Sequence, residues 1–369
     1  MSIEFRDVFC SLLVKVLCFI DLGVSRMAYT VQSSEKLRHS ASMAETKAML
    51  YLMNFRSDSD EIYYFVVDFF NDLTGMDRMS QKLWDLQSKG ALKSSPNAIG
   101  KELVTLFKNY LSAFDFNHYI LFLGGVTGPL RKDNSRNVFD ASNIKPLALN
   151  KIKSGLIDEC KRKTYIDESL VSEEKIIDFL SKVFFVIDDK EPSEYVKAIV
   201  KIHPSIIPDK STLVAIFNEI RDKQASKKNI GSVEGITIQT TDEALNYCRH
   251  LTSSEIKLLV LGRIINRNPF EKGVPFSFVP IYNRFPPEYQ KGMLEDCQLS
   301  LSLALFDKNG ADSFWDLFNN VYRTITKNNT DSVESIFKKL DKDIIKGCPN
   351  FNVLSLKYFI ASVKDGVQS

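Results

Sequence analysis

Apolar residues recur at helical spacing across residues 41–55, ASMAETKAMLYLMNF, where Met43, Leu50 and Met53 share a face and Ala, Met and Leu favour helix. A helix is therefore predicted over 40–55. The polar run RSDSDE ends it, and the period then changes from helical to alternating. Residues 62–70, IYYFVVDFF, are aromatic and β-branched and read as a strand, while 71–75, closing on Gly75, read as a turn. Residues 82–89 form a second strand whose alternation sets Leu83, Asp85, Gln87 and Lys89 on one face and Trp84, Leu86 and Ser88 on the other. Ser94-Ser95-Pro96-Asn97 is a turn and cap signal before a helix predicted over 98–112. HYILFL at 118–123 then reads as a buried strand ending at Gly124-Gly125. The order helix, strand, strand, helix, strand predicts an α/β unit, a mixed sheet flanked by helices.

Beyond residue 151 the pattern becomes one of short amphipathic helices, expected over 173–186, 194–202, 211–224, 242–249, 254–266, 288–306, 312–326, 332–345 and 354–364. The polar segment 131–150 reads as a mobile loop or the start of a linker. The segment 268–287, with Pro275, Pro280, Pro286 and Pro287 among aromatics, reads as an irregular arm or surface loop. A chain of 369 residues exceeds what one core usually fills, which favours an α/β unit over 27–160 followed by a mainly α-helical C-terminal domain over 161–369. Residues 1–26 read as an extension, with Met27 as an alternative start. Their apolar stretch, 8–20, is interrupted by Lys15 and is short for a membrane span, so no membrane association is expected.

Composition narrows the class without naming a reaction. Apolar residues make up 44% and charged residues 25%, as in ordinary packed proteins, which excludes a fibrous or wholly disordered chain. The net charge is only +2, so a nucleic-acid surface would have to arise from local clustering. Six cysteines without a CxxC pair read as reduced thiols in a cytoplasm, and four dispersed histidines argue against a structural zinc site. The glycines of GGVTGPL are not a phosphate loop, because no Lys-Ser or Lys-Thr follows and Pro129 stands where a helix would begin.

The candidate chemistry lies between residues 61 and 90. Magnesium binds oxygen ligands and keeps several waters, so one or two carboxylates with an amide oxygen can hold it. Asp72 is the first expected ligand, Gln87 offers its amide oxygen, and Lys89 on the same strand face can orient a water or stabilise charge on a phosphate. Glu45 adds a carboxylate if the first helix packs beside the sheet edge. Asp68 is the alternative ligand in a shifted register. Taken singly, Asp72 reads as a turn residue, Gln87 and Lys89 as half-solvated strand positions, and Glu45 as a surface helix residue. Lys93 and Lys101 flank the site, and Arg131, Lys132 and Arg136 follow the third strand, suiting DNA phosphates if that strand runs parallel to the second. Lys161-Arg162-Lys163 and Lys227-Lys228 read as solvated faces.

The succession AETKAMLYLMNF, FVVDFFNDLTG, LWDLQSKG, IGKELVTLFKNYL and HYILFLGG resembles the PD-(D/E)xK nuclease superfamily, in its form with Gln in place of the last acid. More narrowly it resembles the CD-NTase-associated protein 4-like DNA endonuclease domain, the effector nuclease of bacterial antiphage systems of the CBASS and Lamassu kinds. The resemblance covers roughly residues 27–160. It implies a restriction-endonuclease-like sheet, with the family's helix glutamate, strand-end aspartate and (E/Q)xK roles falling on Glu45, Asp72, Gln87 and Lys89. It further implies Mg2+ or Mn2+ as cofactor, double-stranded DNA as substrate, and other subunits of a defence complex, an SMC-like ATPase or a nucleotidyltransferase system, as partners. The helical half is then expected to dock a partner or to form a homo-oligomer. A non-catalytic scaffold on the same core, and an RNase, are the other readings.

Overall fold

The computed structural model describes residues 28–32, 39–128, 130–200, 208–266, 273–307 and 309–368. The extension 1–26 and the start at Met27 lie outside them. A short strand β1 (Tyr29–Thr30) precedes helix α1 (His39–Asn54), which begins and ends within a residue of its predicted bounds. An antiparallel meander follows, β2 (Tyr64–Val67), β3 (Leu73–Met76) and β4 (Leu83–Lys89). Helices α2 (Pro96–Glu102) and α3 (Val104–Tyr110) then carry the chain to β5 (His118–Leu123), which lies parallel to β4.

The sheet does not stop at residue 160. After β6 (Val138–Phe139), α4 (Pro146–Arg162) and α5 (Glu173–Lys182), strand β7 (Val183–Ile187) adds in parallel to β5. Helices α6 (Pro192–Val200) and α7 (Lys210–Lys228) and the short β8 (Thr237–Ile238) lead to β9 (His250–Thr252), which pairs antiparallel with β2. Among the described residues the sheet has seven strands in the order β6-β7-β5-β4-β3-β2-β9, and β1 pairs separately with β8. A boundary at 160/161 would cut through this sheet.

Three predicted elements differ for identifiable reasons. Leu73–Met76 is a central strand rather than a turn, and Gly75 serves close packing there: a Cβ would stand 3.0 Å from Ile62 and 3.4 Å from Leu52 of α1. The helix expected over 173–186 ends at Lys182, because VFFVI is β-branched and aromatic and completes the parallel sheet. Residues 242–249 form a 3-10 run, Thr241–Tyr247, closed by Cys248 in the left-handed region, before β9 begins.

The sheet is covered on both faces, so β4 is buried along nearly its whole length. On one face Trp84, Leu86, Ile120 and Phe122 meet Ala48 and Leu52 of α1, in a cluster that runs on into α8 (Ser253–Ile264), α9 (Val279–Tyr282), α10 (Pro287–Phe306), α11 (Ala311–Lys327), α12 (Val333–Lys339), α13 (Lys342–Lys346) and α14 (Val353–Gln368). On the other, Leu83, Leu121, Leu123 and Phe185 meet α2 to α5. The helical half is thus continuous with the α1 side of the sheet. Helices α2 and α4 cross at bare backbone: a Cβ on Gly100 would lie 2.0 Å from Ile152 O, and one on Gly155 would lie 2.3 Å from Asn97 O. No helix among the described residues is long and apolar enough to cross a membrane.

Candidate active site

The turn joining β2 to β3 builds the centre of the site. Asp68 takes a positive φ of 52°, and its N–H donates to Asp72 O at 3.1 Å, which reverses the chain and sets Asp72 at the head of β3. Because Leu73 is paired with Leu86, the residue before Leu73 falls beside Gln87 and Ser88. Asp72 Oδ2 accepts from Gln87 Nε2 at 2.8 Å, from Ser88 N at 2.9 Å and from Ser88 Oγ at 3.1 Å. Its Oδ1 accepts no hydrogen bond among the described residues. Lys89, at the end of the same strand, lies 3.1 Å from Glu102 Oε2 of α2.

Asp68, Asp72, Gln87 and Lys89 line one cleft of about 470 Å3, together with Lys101, Glu102, Lys108, Glu159 and Lys163. Its walls therefore carry four lysines and four carboxylates. Beneath it lies a buried polar floor. Asn109 Nδ2 donates to Asp85 Oδ2 at 2.7 Å and to Phe70 O at 3.2 Å, and Lys108 Nζ donates to Tyr29 Oη at 2.7 Å. Burial pushes the Asp85 carboxyl up and the Lys108 ammonium down, each charge partly holding the other. Asp85 Oδ1 and Asn71 Nδ2 remain without hydrogen-bond partners.

Glu45 sits elsewhere. It lies on the side of α1 that meets α7, where Lys228 Nζ approaches Glu45 Oε2 at 2.7 Å and both side chains are only 8% exposed. Burial raises its pKa to about 7; Lys228 pulls it down, and the charges of Asp72 and Asp68 add to the rise. Glu45 is thus within electrostatic reach of Asp72 but does not line the cleft. Lys228 is correspondingly no solvated face. Asp68 is engaged by Arg249, whose Nη1 donates to Asp68 O at 2.9 Å and lies 3.3 Å from Oδ2.

Of the basic residues expected at DNA, only Lys101 lines the cleft. β5 does run parallel to β4, so the loop bearing Arg131 leaves the same end of the sheet as Lys89. Neither Arg131 nor Lys132 lines the cleft, however, and within the loop Arg131 Nη1 donates to Arg136 O at 2.7 Å and Lys132 Nζ to Ser142 O at 2.8 Å. Lys93 is exposed outside the cleft. Sequence reasoning passed over Lys108, whose helical position carries no motif, and read Lys163 as solvent-facing, although it sits at the cleft wall beside Glu159. Arg249 gave no signal at all, because its partners lie far away in the chain.

Among the described residues no group of three His, Cys, Asp or Glu is arranged to hold a metal ion. The oxygen donors that line the cleft at the head of β3 are instead the Asp72 carboxylate and the Gln87 amide, with Asp68 in the same lining. That set fits a hard, largely hydrated cation, which needs only one or two carboxylates, and it does not fit zinc. No protein-family model, curated protein or solved structure matches the chain.

Proposed function

We propose that the chain is a Mg2+- or Mn2+-dependent endonuclease that hydrolyses phosphodiester bonds of double-stranded DNA, acting in bacterial antiphage defence. The observation that supports this most is the convergence of Asp72, Gln87 and Lys89 on one cleft, in the order helix, antiparallel meander, helices, parallel strand. The defence setting and its partner subunits rest on the sequence resemblance alone.

On this reading Asp72 and Gln87 would hold the cation, which would supply Lewis-acid activation of a phosphoryl oxygen and of the attacking water. Lys89 offers its ammonium to the charge that develops on the scissile phosphate, and Glu102 keeps that ammonium at the cleft mouth. Lys101 and Lys163 contact flanking phosphates, which position a duplex without reading its sequence. Purified protein, Lys89→Ala and Asp72→Ala incubated with plasmid and Mn2+ test the assignment: the wild type is expected to nick, and equal nicking by all three sinks it.

A non-catalytic scaffold is the second reading, and it draws on the lack of a three-acid group among the described residues. Metal binding separates the two. An Mn2+-induced rise in melting temperature that disappears in Asp72→Ala supports a working site, and no rise in any variant supports the scaffold.

A further inference from the structure

We infer that Lys108 is the inner phosphate contact of the cleft, an ammonium held at the floor by uncharged oxygens so that its remaining N–H meets an anionic oxygen of a phosphodiester. The inference rests on the reading of the cleft as a DNA site.

The ammonium is held from two sides. Lys108 Nζ donates to Tyr29 Oη at 2.7 Å and to Phe70 O at 3.2 Å. Tyr29 is itself fixed: its hydroxyl donates to Asn109 Oδ1 at 2.9 Å, and its ring stacks on Phe114 with centroids 5.5 Å apart. Phe70 O belongs to the turn that carries Asp72, and Asn109 Nδ2 ties the same oxygen to α3 at 3.2 Å. An ammonium has three N–H groups, and two of them are thereby spent. The third has no partner among the described residues, on a side chain that lines the cleft with Asp72, Gln87 and Lys89.

Lys89 and Lys163 are arranged differently. Lys89 stands 3.1 Å from Glu102 and Lys163 stands 3.4 Å from Glu159, so a carboxylate meets each charge. The acid of the floor, Asp85, does not meet Lys108 in this way: its Oδ2 is taken by Asn109 Nδ2 at 2.7 Å. A strut between α3 and the turn needs no charge, and Asn109 already makes that tie through a neutral amide. Desolvating an ammonium costs free energy that two neutral acceptors return only in part. A phosphate oxygen arriving from the cleft supplies the third acceptor, in a charge-assisted hydrogen bond. Because the ammonium is fixed before the ligand arrives, little side-chain entropy is lost on contact.

Fluorescence anisotropy of the full chain with a short DNA duplex, in Ca2+ and at several salt concentrations, tests this in wild type, Lys108→Met and Lys101→Ala. Lys108→Met keeps an apolar stem and removes the charge. It is expected to bind about ten-fold or more weakly, and to lower the slope of log affinity against log salt by about one. In the wild type, acetylation of Lys108 read by peptide mass spectrometry is expected to fall several-fold when duplex is added. An unchanged slope in Lys108→Met overturns the inference, and where Lys101→Ala still lowers the slope the DNA reading of the cleft stands. If neither variant changes the slope, or the wild type does not bind duplex, both readings fall. If Lys108→Met does not fold, unchanged acetylation of wild-type Lys108 in the presence of bound duplex is sufficient to overturn the inference.

Discussion

Gln87 donates from Nε2 to Asp72 Oδ2 at 2.8 Å, so the two residues that the site reading makes metal ligands are joined directly to each other. An amide can do this, whereas an ionised carboxylate in its place would face Asp72 with like charge. Gln87→Glu is therefore expected to lose about 1–3 kcal/mol of metal-free stability, the cost of a broken buried hydrogen bond with a repelled partner. Mn2+ should restore much of that loss, giving the variant a larger metal-induced shift in melting temperature than wild type. Equal shifts in the two proteins would place the cation elsewhere.

Ser88 fixes Asp72 from a second direction, through both its N–H and its hydroxyl. Ser88→Ala keeps the backbone bond and removes the other, with an expected cost of about 1 kcal/mol in urea denaturation. Because Asp72 keeps its place, Mn2+ binding should weaken by much less than in Asp72→Asn.

The Glu45 carboxyl gives the stability a pH signature. Its pKa in the folded chain is about 7 against an ordinary 4.5, so between these values the folded state holds a proton that the unfolded state has released. Stability from this group is thus greatest below pH 4.5 and is lost as pH rises through 7. Wild type minus Glu45→Gln, followed by denaturant midpoints from pH 5 to 8, should fall with rising pH at up to about 1.4 kcal/mol per unit. A flat difference would return Glu45 to its ordinary value.

Lys101 and Lys163 line the cleft, while Arg131 is occupied by its own loop. Replacing either lysine by Ala should lower the slope of log affinity for duplex DNA against log salt by about one, and Arg131→Ala should leave the slope unchanged. Fluorescence anisotropy with a short duplex at several salt concentrations reads both.

Gly100→Ala would place a methyl 2.0 Å from a backbone carbonyl oxygen of α4, and neither helix can yield without moving the other. A loss of about 3 kcal/mol or more is expected in thermal or urea unfolding.

Local chemistry made much of this molecule legible. The helix of 40–55, the alternation of β4 and the buried strand at 118–123 all follow from side-chain period, and the shared face of Gln87 and Lys89 follows from it directly. Their meeting with Asp72 depends on the Leu73–Leu86 register, which was hidden because Gly75 looked like a turn residue when it was making room for α1. The fate of Glu45 was hidden more deeply. Its partner is supplied by a helix 183 residues further on (228 − 45), and a lysine at a helix end is locally indistinguishable from a solvated one. That the sheet takes strands from beyond residue 160 was hidden for a similar reason, since β7 and β9 join it through long-range pairing that leaves no periodic mark.

The glycine crossing of α2 and α4 has a mechanical consequence for the cleft. Lys101 and Glu102 project from one of those helices and Glu159 from the other, so the wall they form is a single stiff slab with backbone pressed on backbone. The turn 68–72, which also lines the cleft, is joined instead through Arg249 to residues 230 and 231, so a ligand too wide for the cleft would displace that turn more readily than it would spread the glycine crossing.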